Sequence, residues 1–86
     1  MKYTIVIEKP AEKFIMQLAQ PEKERVLKAI YELPHKGDIK RLQGKKSQGM
    51  YRLRVGSYRV IYTVDNGRLT VCVVDAGNRG QIYSRY

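Results

Sequence analysis

Hydrophobic positions along this 86-residue chain follow one period in the first half and another in the second. Residues 2–8 are rich in β-branched and aromatic types, which favours a strand. Apolar residues at helical spacing follow Pro10 and again Pro21, and Pro34 and Gly37 end the second stretch. The apolar stripes are Ala11, Phe14, Ile15 and Leu18, then Val26, Leu27, Ile30, Tyr31 and Leu33. We therefore expect two antiparallel helices joined by a short turn.

The second half alternates with period two, which is typical of strands. Gly56-Ser57 suits a two-residue type II′ turn, and Asn66-Gly67 suits a type I′ turn. These turns divide the segment into antiparallel strands at about 50–55, 58–65 and 68–76. Residues 77–86 could add one more strand or a turn.

These elements predict one α+β domain over residues 1–86. It consists of an N-terminal strand, a two-helix antiparallel hairpin and a three- to four-stranded antiparallel sheet packed on the helices. Alternation places Leu53 and Val60 on the face that the helices should cover. Arg52, Arg54 and Arg59 fall on the other face, with Arg54 opposite Arg59 across the turn. Like charges so close weaken the strand pairing, so we expect these arginines to have a use.

Positive charge is concentrated in one segment of the chain. Residues 36–59 hold eight Lys or Arg residues and one acid, Asp38, and so carry seven of the nine net charges. Such local charge favours a polyanionic partner such as nucleic acid. Part of it, Lys40, Arg41, Lys45 and Lys46, falls in a predicted glycine-containing loop. These four are either phosphate contacts that position RNA or plain solvated charge.

Composition narrows the class of protein further. No apolar run reaches the roughly 18–20 residues that span a bilayer, and the apolar start is too short for a signal peptide, so we expect a cytoplasmic protein without membrane contact. Cys72 is the only cysteine, which excludes an internal disulfide and a zinc cluster of cysteines. A chain this short has no room for an enclosed cofactor cavity. We expect no cofactor and no metal.

Three segments, in order, resemble the RelE/ParE superfamily of bacterial and archaeal toxins. They are Leu42-x-Gly44, the run 51–62 with Gly-x-Tyr-Arg-Val-x-Tyr, and the run 76–83 with Gly-x-Arg-x-x-x-Tyr. The predicted order strand, helix, helix, sheet agrees with that family, so the resemblance covers essentially the whole chain.

The RelE branch of this superfamily consists of ribosome-dependent endoribonucleases that cut mRNA in the decoding site and are held inactive by an antitoxin. The resemblance therefore implies three partners: a cognate antitoxin, mRNA, and the ribosome with its 16S rRNA. Position by position, it assigns the catalytic roles to Arg52, Arg54, Arg59, Arg79 and Tyr83. The chain departs from the family in having arginine where the archetype has lysine at 52 and 54, and Asn78 where many relatives have histidine.

The residue types suit metal-free RNA cleavage only in part. Arginine forks onto phosphate and stays charged, so the four arginines can stabilise the extra negative charge of a phosphorane. Arginine cannot exchange a proton near neutral pH. Tyr83 is the remaining candidate, either as general base, since nearby cations favour a phenolate, or as a residue that stacks on a base of the substrate.

Two other functions remain open. A ParE-like protein would inhibit DNA gyrase by binding and perform no nuclease chemistry, and a plain RNA-binding domain would not impair growth. Arg79, Tyr83 and the charge on the predicted sheet favour the nuclease.

Overall fold

The computed structural model describes residues 2–45 and 48–82 of the chain. Its elements in order are β1 (Thr4–Ile7), α1 (Lys9–Met16), α2 (Gln20–Tyr31), β2 (Asp38–Arg41), β3 (Tyr51–Val55), β4 (Tyr58–Asp65), β5 (Thr70–Asn78) and α3 (Arg79–Ile82). Within the described residues, no helix has both the length and the apolar character that a membrane crossing requires.

A single five-stranded sheet has the order β1-β5-β4-β3-β2. The strand β1 pairs parallel to β5, and the other neighbours pair antiparallel. The predicted α+β class, with an N-terminal strand and a three- to four-stranded antiparallel sheet, is therefore confirmed, and the antiparallel strands number four. The fourth antiparallel strand is β2, which the sequence did not indicate. It has four residues and one apolar side chain, Ile39, whose partner on β3 is Leu53, so the pairing rather than its own pattern defines it.

Both helices cover one face of the sheet, as predicted. Pro10 and Pro21 lie in the first turns of α1 and α2, where proline costs no hydrogen bond. The helix α1 contacts β5, and α2 contacts β3. The buried core between helices and sheet includes Ala11, Ile15, Val26, Ile30, Leu53, Val60, Tyr62, Val71, Val73 and Ala76.

A β-bulge in β5 changes which of its side chains face the helix-side core. Ile61 pairs with Asp75, whereas the next residue, Tyr62, pairs with Val73, so Val74 is an extra residue on β5. Strict alternation would put Asp75 in the core with Val73. The bulge instead places Ala76 in the core and Asp75 on the opposite face, beside Ile61.

Of the segment 77–86, for which the sequence left a strand or a turn open, residues 77–78 extend β5 and residues 79–82 form the short helix α3. The helix α3 contacts both β4 and β5. Ile61 and Ile82 are fully buried, yet neither belongs to the helix-side core. We infer that α3 covers the β4–β5 part of the second face, which leaves the β2–β3 part open.

The two predicted turns have different outcomes. Gly56 has φ +60° and Ser57 does not have positive φ, as the predicted type II′ turn requires. The predicted type I′ turn at Asn66-Gly67 is wrong, because neither residue has positive φ. The strands β4 and β5 are instead joined by the four residues 66–69, with Leu69 at φ +48°. Oδ1 of Asp65 accepts the Arg68 N–H at 3.1 Å and so stabilises this longer loop.

Gly56→Ala should lower the free energy of unfolding by about 1–2 kcal/mol, because a side chain is strained in the left-handed region. The added Cβ would also clash with Nη2 of Arg25, which would have to move. Gly67→Ala is the matched control. Gly67 lies outside the left-handed region, and its added Cβ would meet Oδ1 of Asp65 at an ordinary 3.5 Å.

The control should change stability by less than about 0.5 kcal/mol. Chemical denaturation of both variants measures the difference. An equal loss at the two glycines would contradict the turn assignments.

Candidate nucleic-acid interface

Strand pairing brings the charged residues of the second face into two rows. The first row crosses from β2 through β3 to β4 as Asp38, Arg54 and Arg59, and the second as Lys40, Arg52 and Ile61. Directly paired residues point to the same side of a sheet, so the predicted convergence of the arginines on one face is present. We call Asp38, Arg52, Arg54 and Arg59 the arginine cluster.

Asp38 connects two arginines of this cluster through its two carboxylate oxygens. Nη2 of Arg52 donates to Oδ1 at 3.0 Å, and Nε of Arg54 lies 2.7 Å from Oδ2. The side chain of Arg52 is 15% exposed and that of Arg54 is 53% exposed, so one guanidinium is recessed and the other reaches solvent. The sequence singled out Asp38 only as the lone acid of a basic segment, because its strand was not predicted.

Arg59 differs from its neighbours in being almost wholly buried, with 5% of the residue exposed. Its Nη1 donates to the carbonyl oxygens of Gly56 and Tyr58, both at 3.0 Å. These bonds tie the guanidinium to the β3–β4 turn. A direct role of Arg59 at a phosphate remains a prediction, and the geometry adds a second role, which is to brace the turn.

Two buried donors of the cluster have no partner among residues 2–45 and 48–82. Nε of Arg52 and Nε of Arg59 are both inaccessible, and neither finds a hydrogen-bond acceptor within the described part of the chain. Leaving a buried donor unsatisfied costs about 1–3 kcal/mol, and more when the group is charged. A buried donor without an acceptor therefore needs an explanation, such as strain, a functional role or an ordered water.

Arg79 lies at the same end of the sheet as the arginine cluster. The preceding residue, Asn78, pairs with Tyr58, and the Arg79 N–H donates to the Ser57 carbonyl at 3.2 Å. The backbone of Arg79 therefore contacts the β3–β4 turn. Arg79 is the first residue of α3 and is exposed. Tyr83, the predicted proton-transfer residue, lies outside the described residues.

The four predicted RNA-contacting residues do not form one loop surface. Lys40 and Arg41 lie on β2 and not in a loop, which corrects the prediction. Lys40 pairs with Arg52 and shares its face, whereas Arg41 pairs with Tyr51, whose side chain packs against the helix-side core. Lys45 is exposed after β2, and Lys46 lies outside the described residues.

A supporting network on α2 escaped the sequence analysis. The Arg25 guanidinium lies over Gly56, and 3.9 Å separate its Nη2 from a Glu22 carboxylate oxygen. Burial and the nearby Glu22 carboxylate raise the pKa of the Tyr58 hydroxyl. The helix is thereby linked to the turn that Arg59 braces from the other side. The only sequence signal for this contact was Gly56 itself.

Cys72 provides no nucleophile for this face. Its Sγ donates to Oε2 of Glu8 at 2.9 Å, and burial together with that carboxylate raises the pKa of the thiol to about 11. The thiol therefore stays protonated near neutral pH. The chemistry available at the arginine cluster is the binding and electrostatic stabilisation of an anion.

Comparison with known proteins gives a consistent result at two levels. Residues 5–83 match the sequence profile of one protein family. That family is described as the ParE toxin of the type II toxin-antitoxin system parDE. Among curated protein sequences, none matches this chain significantly.

Several solved structures share the fold. The RelE–RelB complex from Pyrococcus horikoshii OT3 is similar at 29% identity and a TM-score of 0.73, over 94% of this chain and 99% of that chain. Isolated Escherichia coli RelE toxin is similar at 25% identity and a TM-score of 0.70, over 95% of this chain and 92% of that chain. The RelBE2 complex from Mycobacterium tuberculosis has 22% identity and a TM-score of 0.77, over 92% and 100% of the two chains, and shows the fold alone.

The profile covers nearly the whole chain, and the structural likeness extends over the same elements that carry the arginine cluster. This chain therefore belongs to the ParE toxin family of type II toxin–antitoxin systems, within the RelE/ParE superfamily.

Proposed function

We propose that this toxin is a ribosome-dependent endoribonuclease that cleaves mRNA in the decoding site without a metal and so inhibits translation. One observation carries the proposal. Arg52, Arg54 and Arg59 lie on one face of the sheet, and the side chain of Arg54 is 53% exposed, so its guanidinium reaches solvent. A phosphate oxygen is the acceptor that such a cluster favours, because a planar guanidinium matches it with charge-assisted hydrogen bonds.

In the proposed reaction, the 2′-oxygen of the RNA attacks the adjacent phosphorus. The bond from 2′-oxygen to phosphorus forms, the bond from phosphorus to the 5′-oxygen breaks, and the products are a 2′,3′-cyclic phosphate and a 5′-hydroxyl. The three arginines of the cluster and Arg79 would stabilise the charge of the phosphorane. The proton of the 2′-hydroxyl would pass to the phenolate form of Tyr83, and the leaving 5′-oxygen would take a proton from water.

We expect the reaction to depend on the ribosome because the arginines of the cluster act as neither general acid nor general base near neutral pH. Arginine stays protonated near neutral pH, and a positioned acid or base contributes about 10²- to 10⁴-fold to a rate. The ribosome would supply orientation of the mRNA in place of part of this contribution. We therefore expect the isolated protein to cleave free RNA slowly.

The remaining basic residues and the net charge suit the other proposed partners. Lys40, Arg41, Lys45 and Lys46 would contact mRNA or 16S rRNA phosphates and position the toxin without reading sequence. Two proteins of similar structure, from Pyrococcus horikoshii and Methanococcus jannaschii, were solved as complexes of RelE with RelB. By analogy, we propose a cognate antitoxin with an acidic or amphipathic segment, because a net charge of +9 steers association with acidic chains in the cytoplasm.

Gyrase inhibition is the second candidate, and the ParE description of the matching family supports it. Primer extension on cellular mRNA after induction separates the two functions. Cuts within translated codons support the nuclease. A DNA-damage response without cuts supports the gyrase inhibitor.

Arg79→Ala should lower the cleavage rate on programmed ribosomes by about 10²- to 10³-fold, the usual cost of removing one donor to a charged transition state. The backbone bond to Ser57 is retained in this variant. Arg68→Ala is the matched control, since Arg68 is an exposed arginine in the loop at the opposite end of β4. It should leave the rate within about twofold of wild type. Equal rates for wild type and Arg79→Ala would overturn the assigned role.

Tyr83→Phe keeps the ring and removes only the hydroxyl. If Tyr83 is the general base, cleavage on ribosomes should fall by about 10²- to 10⁴-fold. An unchanged rate, measured in single-turnover reactions at saturating toxin, would show that the residue contributes through stacking alone.

Binding to single-stranded RNA should weaken with salt by roughly 0.7 log unit per log unit of salt for each phosphate neutralised. Arg54→Ala should reduce that slope by about 0.7, because its exposed guanidinium is the member of the cluster best placed to reach a phosphate. Fluorescence anisotropy over a salt series measures both slopes. A slope near zero for the wild type would contradict a phosphate-binding face.

A further inference from the structure

The contact of Asp38 with two arginines has a definite geometry. Asp38 lies directly opposite Arg54 in the strand pairing. Arg52 lies two residues before Arg54 on β3, on the same face of the sheet. Oδ1 accepts from Nη2 of Arg52 at 3.0 Å, and Oδ2 lies 2.7 Å from Nε of Arg54. Each oxygen therefore serves a different guanidinium. One carboxylate fixes the separation and the orientation of both.

This arrangement leaves the terminal donors of Arg54 without a contact to the described residues. In Arg54 the carboxylate occupies Nε, which lies nearest the backbone, so the two terminal Nη groups of a half-exposed side chain remain available. In Arg52 the carboxylate occupies Nη2, while the buried Nε has no acceptor among the described residues. Without Asp38, the two like charges along β3 would repel each other, and the long side chains would take up several rotamers.

We propose that Asp38 is a positioning residue of the phosphate site. It acts through Arg52 and Arg54, which it holds in place before the substrate arrives, so that both guanidiniums meet one phosphate without reorganising. This inference rests on the proposed nuclease function and assigns a role to the one acidic residue of the basic segment.

The alternative role for Asp38 is that of a competitor, a carboxylate that occupies the place of the phosphate. The two roles predict different results on removal of its charge. A competitor would slow both binding and cleavage, so its loss would raise affinity and turnover together. A positioning residue lowers the affinity for the anion because its own charge is negative. It increases turnover because it holds the two guanidiniums in a fixed orientation. Its loss should therefore raise or preserve affinity while turnover falls.

Asp38→Asn tests this difference with an isosteric change. An amide has only one acceptor oxygen, so its NH2 group would face one of the two arginines and repel it. We expect the single-turnover rate on programmed ribosomes to fall by about 10- to 100-fold. The affinity for a short single-stranded RNA should stay constant or rise by up to about fivefold. Asp38→Glu, which retains both oxygens, should recover part of the rate.

Asp65→Asn is the matched control. It removes the same charge at the far end of the sheet, and the amide oxygen can still accept the Arg68 N–H. It should change neither the rate nor the affinity. Wild-type turnover in Asp38→Asn, or a parallel rise in affinity and turnover, would overturn the proposal.

A spectroscopic measurement separates this inference from the nuclease proposal. In ¹⁵N-correlated spectra of the purified protein, the Nε–H resonance of Arg54 should be sharp in the wild type and shifted or broadened in Asp38→Asn. The Arg68 resonance should not change. If wild type never cleaves on ribosomes, the nuclease proposal is wrong. An unaltered Arg54 resonance would instead show that Asp38 does not hold the guanidinium, whatever the enzyme does.

Discussion

The register of β4 between β3 and β5 is the constraint on which the rest of the structure depends. Val60 and Tyr62 point to the helices and are completely or almost completely buried, while Arg59 and Ile61 point the other way. A slip of one residue would exchange these faces and bring the arginine into the apolar core. The bulge on β5 lets that strand keep Val73 and Ala76 in the core despite the intervening Asp75. Core packing and the position of the arginine cluster are thus two consequences of one register.

Two like charges sit opposite each other in this register because the fold supplies partners for both. Arg54 and Arg59 are directly paired, an arrangement that by itself weakens a sheet. Arg59 is withdrawn from solvent and bonded to the carbonyl oxygens of Gly56 and Tyr58, and Arg54 contacts Asp38 on the neighbouring strand. The cluster is therefore a set of arginines with different duties. Arg59 supports the turn, Arg52 is recessed, and Arg54 reaches solvent.

Family and fold give complementary information about function. The sequence profile is that of ParE toxins, whereas the solved structures described above are RelE proteins, alone or bound to antitoxin. A shared fold does not decide between a nuclease and a gyrase inhibitor, because activity depends on the residues placed on that fold. What favours RNA is the local chemistry: three guanidiniums on one face, of which that of Arg54 reaches solvent, and Arg79 joined by its backbone to the β3–β4 turn.

The sequence by itself determined much of this protein. Its periodicities predicted the N-terminal strand, both helices, the β3–β4 hairpin at Gly56 and the separation of Leu53 and Val60 from the arginines, because these follow from local spacing. It did not predict β2, the loop at 66–69 or the bulge. A four-residue edge strand has almost no periodic signal, and the Asp65 carboxylate contact stabilised a longer loop than the Asn-Gly pair suggested.

Only the tertiary structure decided which charges meet. Asp38 and Arg52 are 14 residues apart in sequence, and their contact exists because β2 pairs with β3. The same holds for the burial of Arg59 and for the meeting of Arg79 with the β3–β4 turn. Residue type and alternation specify the face of a side chain, whereas its partner and its exposure depend on strands that are distant along the chain.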